Sequence, residues 1–149
     1  MTYKGKFKPT NPTKYKGDVR EIVYRSSWEL KMMKYCDTTK SIIEWGSEEF
    51  ALYYRGVDNK IHRYYPDFFM KVRQPNGTHK KFLIEIKPKK QTLPPKKPGR
   101  KTKRYLTEVL TYAKNQSKWE AATAYANKYG MTFEIWHEDT LRSFGIKIL

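Results

Sequence analysis

Residues 64–87 read Tyr64-Tyr65-Pro66-Asp67-Phe68-Phe69-Met70-Lys71-Val72-Arg73-Gln74-Pro75-Asn76-Gly77-Thr78-His79-Lys80-Lys81-Phe82-Leu83-Ile84-Glu85-Ile86-Lys87. Two apolar runs flank the turn-forming Gln74-Pro75-Asn76-Gly77, where proline presets one turn dihedral and Asn and Gly tolerate positive φ. Asp67 and Glu85 stand nine positions either side of Asn76, so a hairpin closing there sets Asp67 opposite Glu85 to within one residue. Directly opposed side chains of an antiparallel pair have Cβ atoms about 4.5–5.5 Å apart, close enough for two carboxylates to share one hard divalent cation. Period-2 alternation puts Lys87 on the face of Glu85 and sends Phe82, Ile84 and Ile86 the other way, into a core. Two acids and a lysine converging on one hairpin face suit metal-dependent hydrolysis of a phosphodiester. The same charges would also suit the solvated face of an antiparallel sheet, where a cross-strand pair contributes about 0.2–1 kcal/mol.

The rest of the chain bears on that choice. With 149 residues the chain predicts one domain large enough for a real core, rich in Tyr, Phe and Trp (12, 7 and 4). Thirty-one Lys and Arg against 15 Asp and Glu give a net charge of +16, which implies an anionic partner, nucleic acid first and an anionic membrane second. By itself that charge would suit an RNA- or ribosome-binding protein as well. No run of 18 or more apolar residues and no signal-peptide pattern is present. One cysteine, Cys36, excludes an intramolecular disulfide, and with three scattered histidines (His62, His79, His137) it argues against a structural zinc site.

Residues 1–19 carry five lysines, two prolines and few apolar groups, which predicts a mobile basic arm. Ser26 and Glu29 form a Ser-x-x-Glu capping box opening a helix to about Asp37. Strands are predicted over Ile42–Trp45, Phe50–Arg55, Tyr64–Val72 and Lys80–Lys87. Pro88 ends the last of these, because it cannot donate to a ladder. Residues 88–104 then hold four of the eight prolines and eight basic residues, a long positive loop. A helix follows from Tyr105 to Tyr129, stopped by Gly130, with Leu106, Val109, Leu110, Ala113, Trp119, Ala122 and Ala126 as its apolar stripe. Thr132–His137 reads as a strand, Glu138–Arg142 as a short helix or turn and Phe144–Leu149 as a final strand. The order predicts an α/β fold with a mixed sheet flanked by helices, the strand after the long helix returning parallel to an inner one.

Pro66-Asp67 and Glu85-Ile86-Lys87, in this order of elements, resemble the PD-(D/E)XK nuclease superfamily and its restriction-endonuclease-like α-β-β-β-α-β core. The layout over residues 20–140 is similar to the TnsA-like endonucleases. It is carried by Tyr24-Arg25-Ser26-Ser27-Trp28-Glu29, Tyr64-Tyr65-Pro66-Asp67-Phe68, Ile84-Glu85-Ile86-Lys87-Pro88 and Asn115-Gln116-Ser117-Lys118-Trp119-Glu120-Ala121-Ala122. Where TnsA proteins often have Gln, this chain has Glu85. As a compact single domain it resembles the head-completion nucleases of contractile-tailed bacteriophages, with residues 20–149 as the nuclease domain.

The resemblance implies that Asp67, Glu85 and the backbone carbonyl of Ile86 hold Mg²⁺, for which Mn²⁺ can substitute. Lys87 would orient the attacking water or stabilise charge on the phosphate. Glu29 is either the cap of its helix or a third acid orienting a metal-bound water. Arg25 either holds a phosphate or forms a salt bridge. Lys89, Lys90, Arg100, Lys101, Lys103 and Arg104, with Lys114 and Lys118, are the expected DNA-backbone surface. Trp119 is read as core. The implied partners are DNA and phage head or neck proteins, in the host cytoplasm during assembly or on the virion. A catalytically inert DNA-binding neck protein and a TnsA-like transposition or repair endonuclease are the alternatives.

Overall fold

The computed structural model describes residues 4–148. In chain order the regular elements are β1 (Gly5–Lys6), β2 (Val23–Tyr24), α1 (Ser27–Thr38), β3 (Ile42–Ser47), β4 (Leu52–Arg55), β5 (Ile61–Tyr64), β6 (Phe68–Arg73), β7 (His79–Ile86), α2 (Lys103–Lys128), β8 (Met131–Trp136) and α3 (Glu138–Ser143). The central sheet has the order β3-β6-β7-β8, antiparallel except for the β7–β8 pair, which is parallel. This is the expected α/β fold with a mixed sheet between helices. No helix among the described residues is long and apolar enough to cross a membrane.

The turn forms where Pro75-Asn76-Gly77 predicts it. Gly77 N–H donates to the Gln74 carbonyl at 2.9 Å, and Gly77 has φ +84°, a conformation glycine adopts without penalty. The β6–β7 register runs from Arg73↔His79 to Phe68↔Ile84, and one further step places Asp67 opposite Glu85. Ser26 caps α1, its hydroxyl accepting from Glu29 N–H at 3.1 Å.

Both faces of the sheet are covered. Ile84, Phe68, Met70 and Trp45 pack with Met32, Met33 and Cys36 of α1. Burying such side chains contributes about 1.5–3 kcal/mol each. Leu83 and Phe69, which share the face of Glu85 and Asp67, pack against Ala126 and Met131 under α2. The acid-bearing face is therefore interior, and the solvated-sheet reading fails.

Four expectations need correction. First, residues 4–19 are not a mobile arm, although residues 1–3 of that expectation lie outside the described residues. Phe7 and Tyr15 are buried against Trp45, at ring separations of 5.9 and 4.7 Å. Lys14 Nζ donates to the carbonyls of Cys36, Asp37 and Thr39, and Thr10 and Asn11 N–H groups donate to the buried Asp37 carboxylate. The segment satisfies the end of α1, whose last carbonyls have no partner inside the helix. Second, the run expected as one strand over Tyr64–Val72 breaks at Tyr65-Pro66-Asp67, since proline cannot donate to a ladder. Tyr64 instead ends β5, which pairs only with β4 in a hairpin inserted between β3 and β6. Third, the apolar stripe of α2 enters the core only at Trp119, Ala122 and Ala126, while Leu106 and Leu110 are exposed because at 3.6 residues per turn they stand about 140° and about 180° round the helix from Trp119, on its opposite face. That helix begins at Lys103, so Lys103 and Arg104 are helical, and the loop before it contains a 3₁₀ turn at Lys89–Thr92. Fourth, the described residues after Phe144 form no strand. Ile146 and Ile148 are buried, and Ile146 N–H bonds back to Leu141, which closes the chain onto α3.

Candidate active site

The paired carboxylates are held by donors that come from the fold itself. Glu85, near the end of β7, is buried; its Oε1 accepts from the Tyr64 hydroxyl at 2.8 Å and from Asp67 N–H at 3.3 Å. Asp67 Oδ2 accepts from Ile86 N–H at 2.8 Å. Each acid thus has one oxygen fixed by the protein. Asp67 Oδ1 and Glu85 Oε2 have no hydrogen-bond partner among the described residues. An ionised carboxylate has about four acceptor sites, and neither open oxygen is a sealed, unpartnered buried atom, so each acid keeps an oxygen free to accept a cation from solvent.

The electrostatics agree. Burial and the charge of Glu85 push the Asp67 carboxyl well above the ordinary range, against the pull of Ile86 N–H and Lys87. Burial raises Glu85, while the Tyr64 hydroxyl, Lys87, Asp67 N–H and Lys118 draw it back. Tyr64 itself is raised by burial and by Glu85, which keeps its proton in place as a donor. Lys87 is half-buried and anchored by its N–H to the Trp136 carbonyl at 3.1 Å; no ion pair joins it to either acid, and its charge acts at longer range.

Hard oxygen donors paired at the mouth of a hairpin, the second of them two positions before a lysine, are the arrangement expected from sequence, and comparison with known proteins gives the family. The family model of the TnsA-like endonuclease N-terminal domain matches residues 39–138. This chain belongs to the TnsA-like endonuclease family. It is also 42% identical to the "Head completion nuclease" of Enterobacteria phage T4 over 152 aligned residues, spanning 99% of both chains. No solved structure matches it. The matched residues run from β3 to the end of β8 and start just after α1; the order α1, β3, β6, β7, α2, β8 is the α-β-β-β-α-β order expected from sequence, with the β4–β5 hairpin inserted.

The other expected residues divide into three groups around this TnsA-like centre. Glu29 caps its helix, accepting from Arg25 N–H at 3.4 Å and Ser26 Oγ at 3.3 Å. Its half-buried carboxyl is raised by desolvation, and its charge still reaches Asp67, so capping and proximity to the site coexist. Arg25 takes the salt-bridge option, its guanidinium donating to Glu48 Oε2. Glu48 in turn stands at φ +53° and donates its N–H to the Asp67 carbonyl at 3.1 Å, which ties the end of β3 to the site.

Among the cations expected to meet DNA, Lys118 is the one whose charge interacts with both acids. Its ammonium sits 5.3 Å from the Tyr64 ring centre, and burial lowers its pKa, with the charges of Lys114 and Lys87 acting in the same direction. Lys89 is occupied elsewhere, its N–H bonded to Glu138 at 2.6 Å and its ammonium paired with Asp139 at 3.3 Å. Arg104 pairs with Glu108 one turn along. Lys90, Arg100, Lys101, Lys103 and Lys114 are at the surface and form no ion pair among the described residues.

Sequence reasoning missed Tyr64. It lies at the end of a hairpin that the pattern did not resolve, and its cluster contains Leu52, Tyr54, Trp119 and Ala122. Trp119 Nε1 is buried without a well-formed hydrogen bond, yet lies against the Tyr64 hydroxyl closely enough to oppose part of the rise in its pKa. The only available signal was a tyrosine three residues before Asp67.

Proposed function

We propose that this chain is a DNA nuclease that hydrolyses phosphodiester bonds with Mg²⁺ or Mn²⁺, and that it acts in phage head completion and head–tail joining, in the host cytoplasm and beside head or neck proteins. The observation that carries the chemistry is the pair of unshared oxygens, Asp67 Oδ1 and Glu85 Oε2, on a partly buried and a buried carboxylate of raised pKa in a strongly basic chain. The role in assembly rests on the name of the T4 relative.

The donor set fits the metal. Mg²⁺ prefers oxygen ligands and keeps several waters, so Asp67, Glu85 and the Ile86 carbonyl are enough to hold it. When bound, it would supply Lewis acidity and neutralise charge developing at the scissile phosphate. The protein groups do the rest. Tyr64 O–H and Asp67 N–H orient Glu85, Ile86 N–H orients Asp67, and Lys87 stabilises a non-bridging phosphate oxygen. Glu29 positions water on the side of Asp67. Plasmid cleavage tests this reading. Nicking with Mg²⁺ and none with EDTA is expected; retained DNA binding without nicking in Mg²⁺ or Mn²⁺ would identify an inert DNA-binding protein instead.

Two further outcomes are expected. Tyr64→Phe should keep the aromatic cluster packed but weaken Mn²⁺ binding, measured by titration calorimetry, about tenfold or more, as loss of a group orienting a metal ligand does. Unchanged Mn²⁺ affinity would show that Tyr64 does not orient Glu85 for metal. Neutralising Arg100, Lys101, Lys103 and Arg104 should flatten the dependence of DNA affinity on salt, by up to about 0.9 in log–log slope for each phosphate no longer neutralised. An unaltered slope would place the DNA elsewhere on the molecule.

A further inference from the structure

The inserted β4–β5 hairpin has two unlike faces. Leu52, Tyr54 and Tyr64 point inward and are 2–5% exposed, against Trp119 and Ala122 of α2. The alternate positions point outward, where Tyr53 is 63% exposed, Ile61 57% and the following Tyr65 42%. Register pairs Tyr53 with Arg63 across the hairpin, and Arg63 donates to the Tyr65 hydroxyl at 3.4 Å. A guanidinium is therefore set between two exposed phenol rings.

The hairpin itself sets no acid against that row. The one acid of residues 52–65 is Asp58, and His62 and the Lys60 N–H engage it at the far end of the hairpin. The row also adjoins the site. Tyr65 is two residues from Asp67, so their Cα atoms are at most about 7 Å apart. A fold that only needed to cover α2 would gain nothing from two large rings facing water. Monomeric surfaces expose single apolar groups routinely, whereas a contiguous row marks a binding surface.

We propose that Tyr53, Arg63 and Tyr65 form a binding surface for unpaired nucleotides of the DNA substrate beside the scissile phosphate. Flat rings that stack with bases, alternating with a cation for the backbone, are the chemistry that single strands require. Paired duplex hides its base faces and offers such rings little. The surface would select frayed ends, gaps or single-stranded tails. The inference rests on the reading of this chain as a DNA enzyme, but its test needs no cleavage.

The test is anisotropy binding in EDTA of a short fluorescent oligo(dT) and of a blunt duplex of equal length. Tyr53→Ala and Tyr65→Ala should each weaken oligo(dT) binding about tenfold or more and leave duplex affinity at its wild-type value. Tyr53→Phe, which keeps the ring, should bind oligo(dT) as the wild type does. Both tyrosines are exposed, so thermal melts should be unchanged. Equal losses on both DNAs, no loss on either, or no oligo(dT) binding by the wild type would each overturn the proposal, the second pointing to a protein partner for this face. If the rings govern oligo(dT) binding but the wild type cannot nick plasmid in Mg²⁺ or Mn²⁺, the nuclease reading falls and this surface stands. If plasmid is nicked and the alanine variants bind oligo(dT) normally, the reverse holds.

Discussion

Asp67→Asn should give a folded, more heat-stable protein that no longer cuts DNA. The partly buried carboxyl stands opposite Glu85, and both desolvation and that neighbour oppose its ionisation. Asn keeps an oxygen to accept from Ile86 N–H, the bond that now fixes the side chain, while removing one of two repelling charges. Catalysis loses a metal ligand that contributes several kcal/mol of charge stabilisation, so cleavage should fall about 10³-fold or more. Metal-free protein adds a pH signature. With folded pKa values above the unfolded ones, Asp67 and Glu85 hold protons in the folded chain that the unfolded chain has released. Between the ordinary carboxyl value of about 4 and the raised folded values, these groups therefore make stability fall as pH rises, and above that window their penalty is complete. In EDTA the wild type should melt at a higher temperature as pH is lowered from neutrality into that window, and Asp67→Asn should flatten the trend. Added Mn²⁺ at neutral pH should raise the melting temperature of the wild type, because it binds only the folded site, and do little for the variant. A folded Asp67→Asn protein that cleaves at the wild-type rate would remove Asp67 from the site.

What could be read from sequence was what depends on near neighbours. The symmetric spacing of Asp67 and Glu85 about Asn76 set a register that the β6–β7 ladder reproduces. Ser26 and Glu29 marked the start of α1, and Gly130, at φ +70°, marked the end of α2. What could not be read depends on distant partners. Lys14 is one more cation in a basic stretch until the carbonyls of Cys36, Asp37 and Thr39, more than twenty positions on, give it a function. Leu106 and Leu110 keep helical spacing with each other but stand on the face of α2 opposite Trp119, and only the side on which the sheet packs decides which apolar face is covered. Tyr64 belongs to an aromatic run that reads as one continuous strand, and only the break at Pro66 turns its hydroxyl onto Glu85. The acids themselves were legible, but the groups that hold them were not.

Lys87→Ala should slow single-turnover cleavage at saturating DNA by about 10²–10³-fold, the usual cost of removing one preorganised charge aimed at a reacting oxygen. DNA affinity should change little, since Lys87 is one of 31 basic residues and the backbone contacts are proposed for the surface cations around α2. A loss confined to turnover marks an interaction made mainly in the transition state. The side chain is placed for that task. Its backbone is fixed to Trp136, it lies on the interior face beside Glu85, and among the described residues it forms no ion pair that would consume its charge. Its field already lowers both carboxyls, so removing it should also deepen their repulsion and lower the melting temperature of metal-free protein at neutral pH. A lysine in an ordinary surface pair would instead contribute about 0–1 kcal/mol of stability and no activity. Wild-type turnover by Lys87→Ala would leave Asp67 and Glu85 with a metal to bind and no lysine in the chemistry. Weakened binding with normal turnover would assign Lys87 to the DNA-backbone surface.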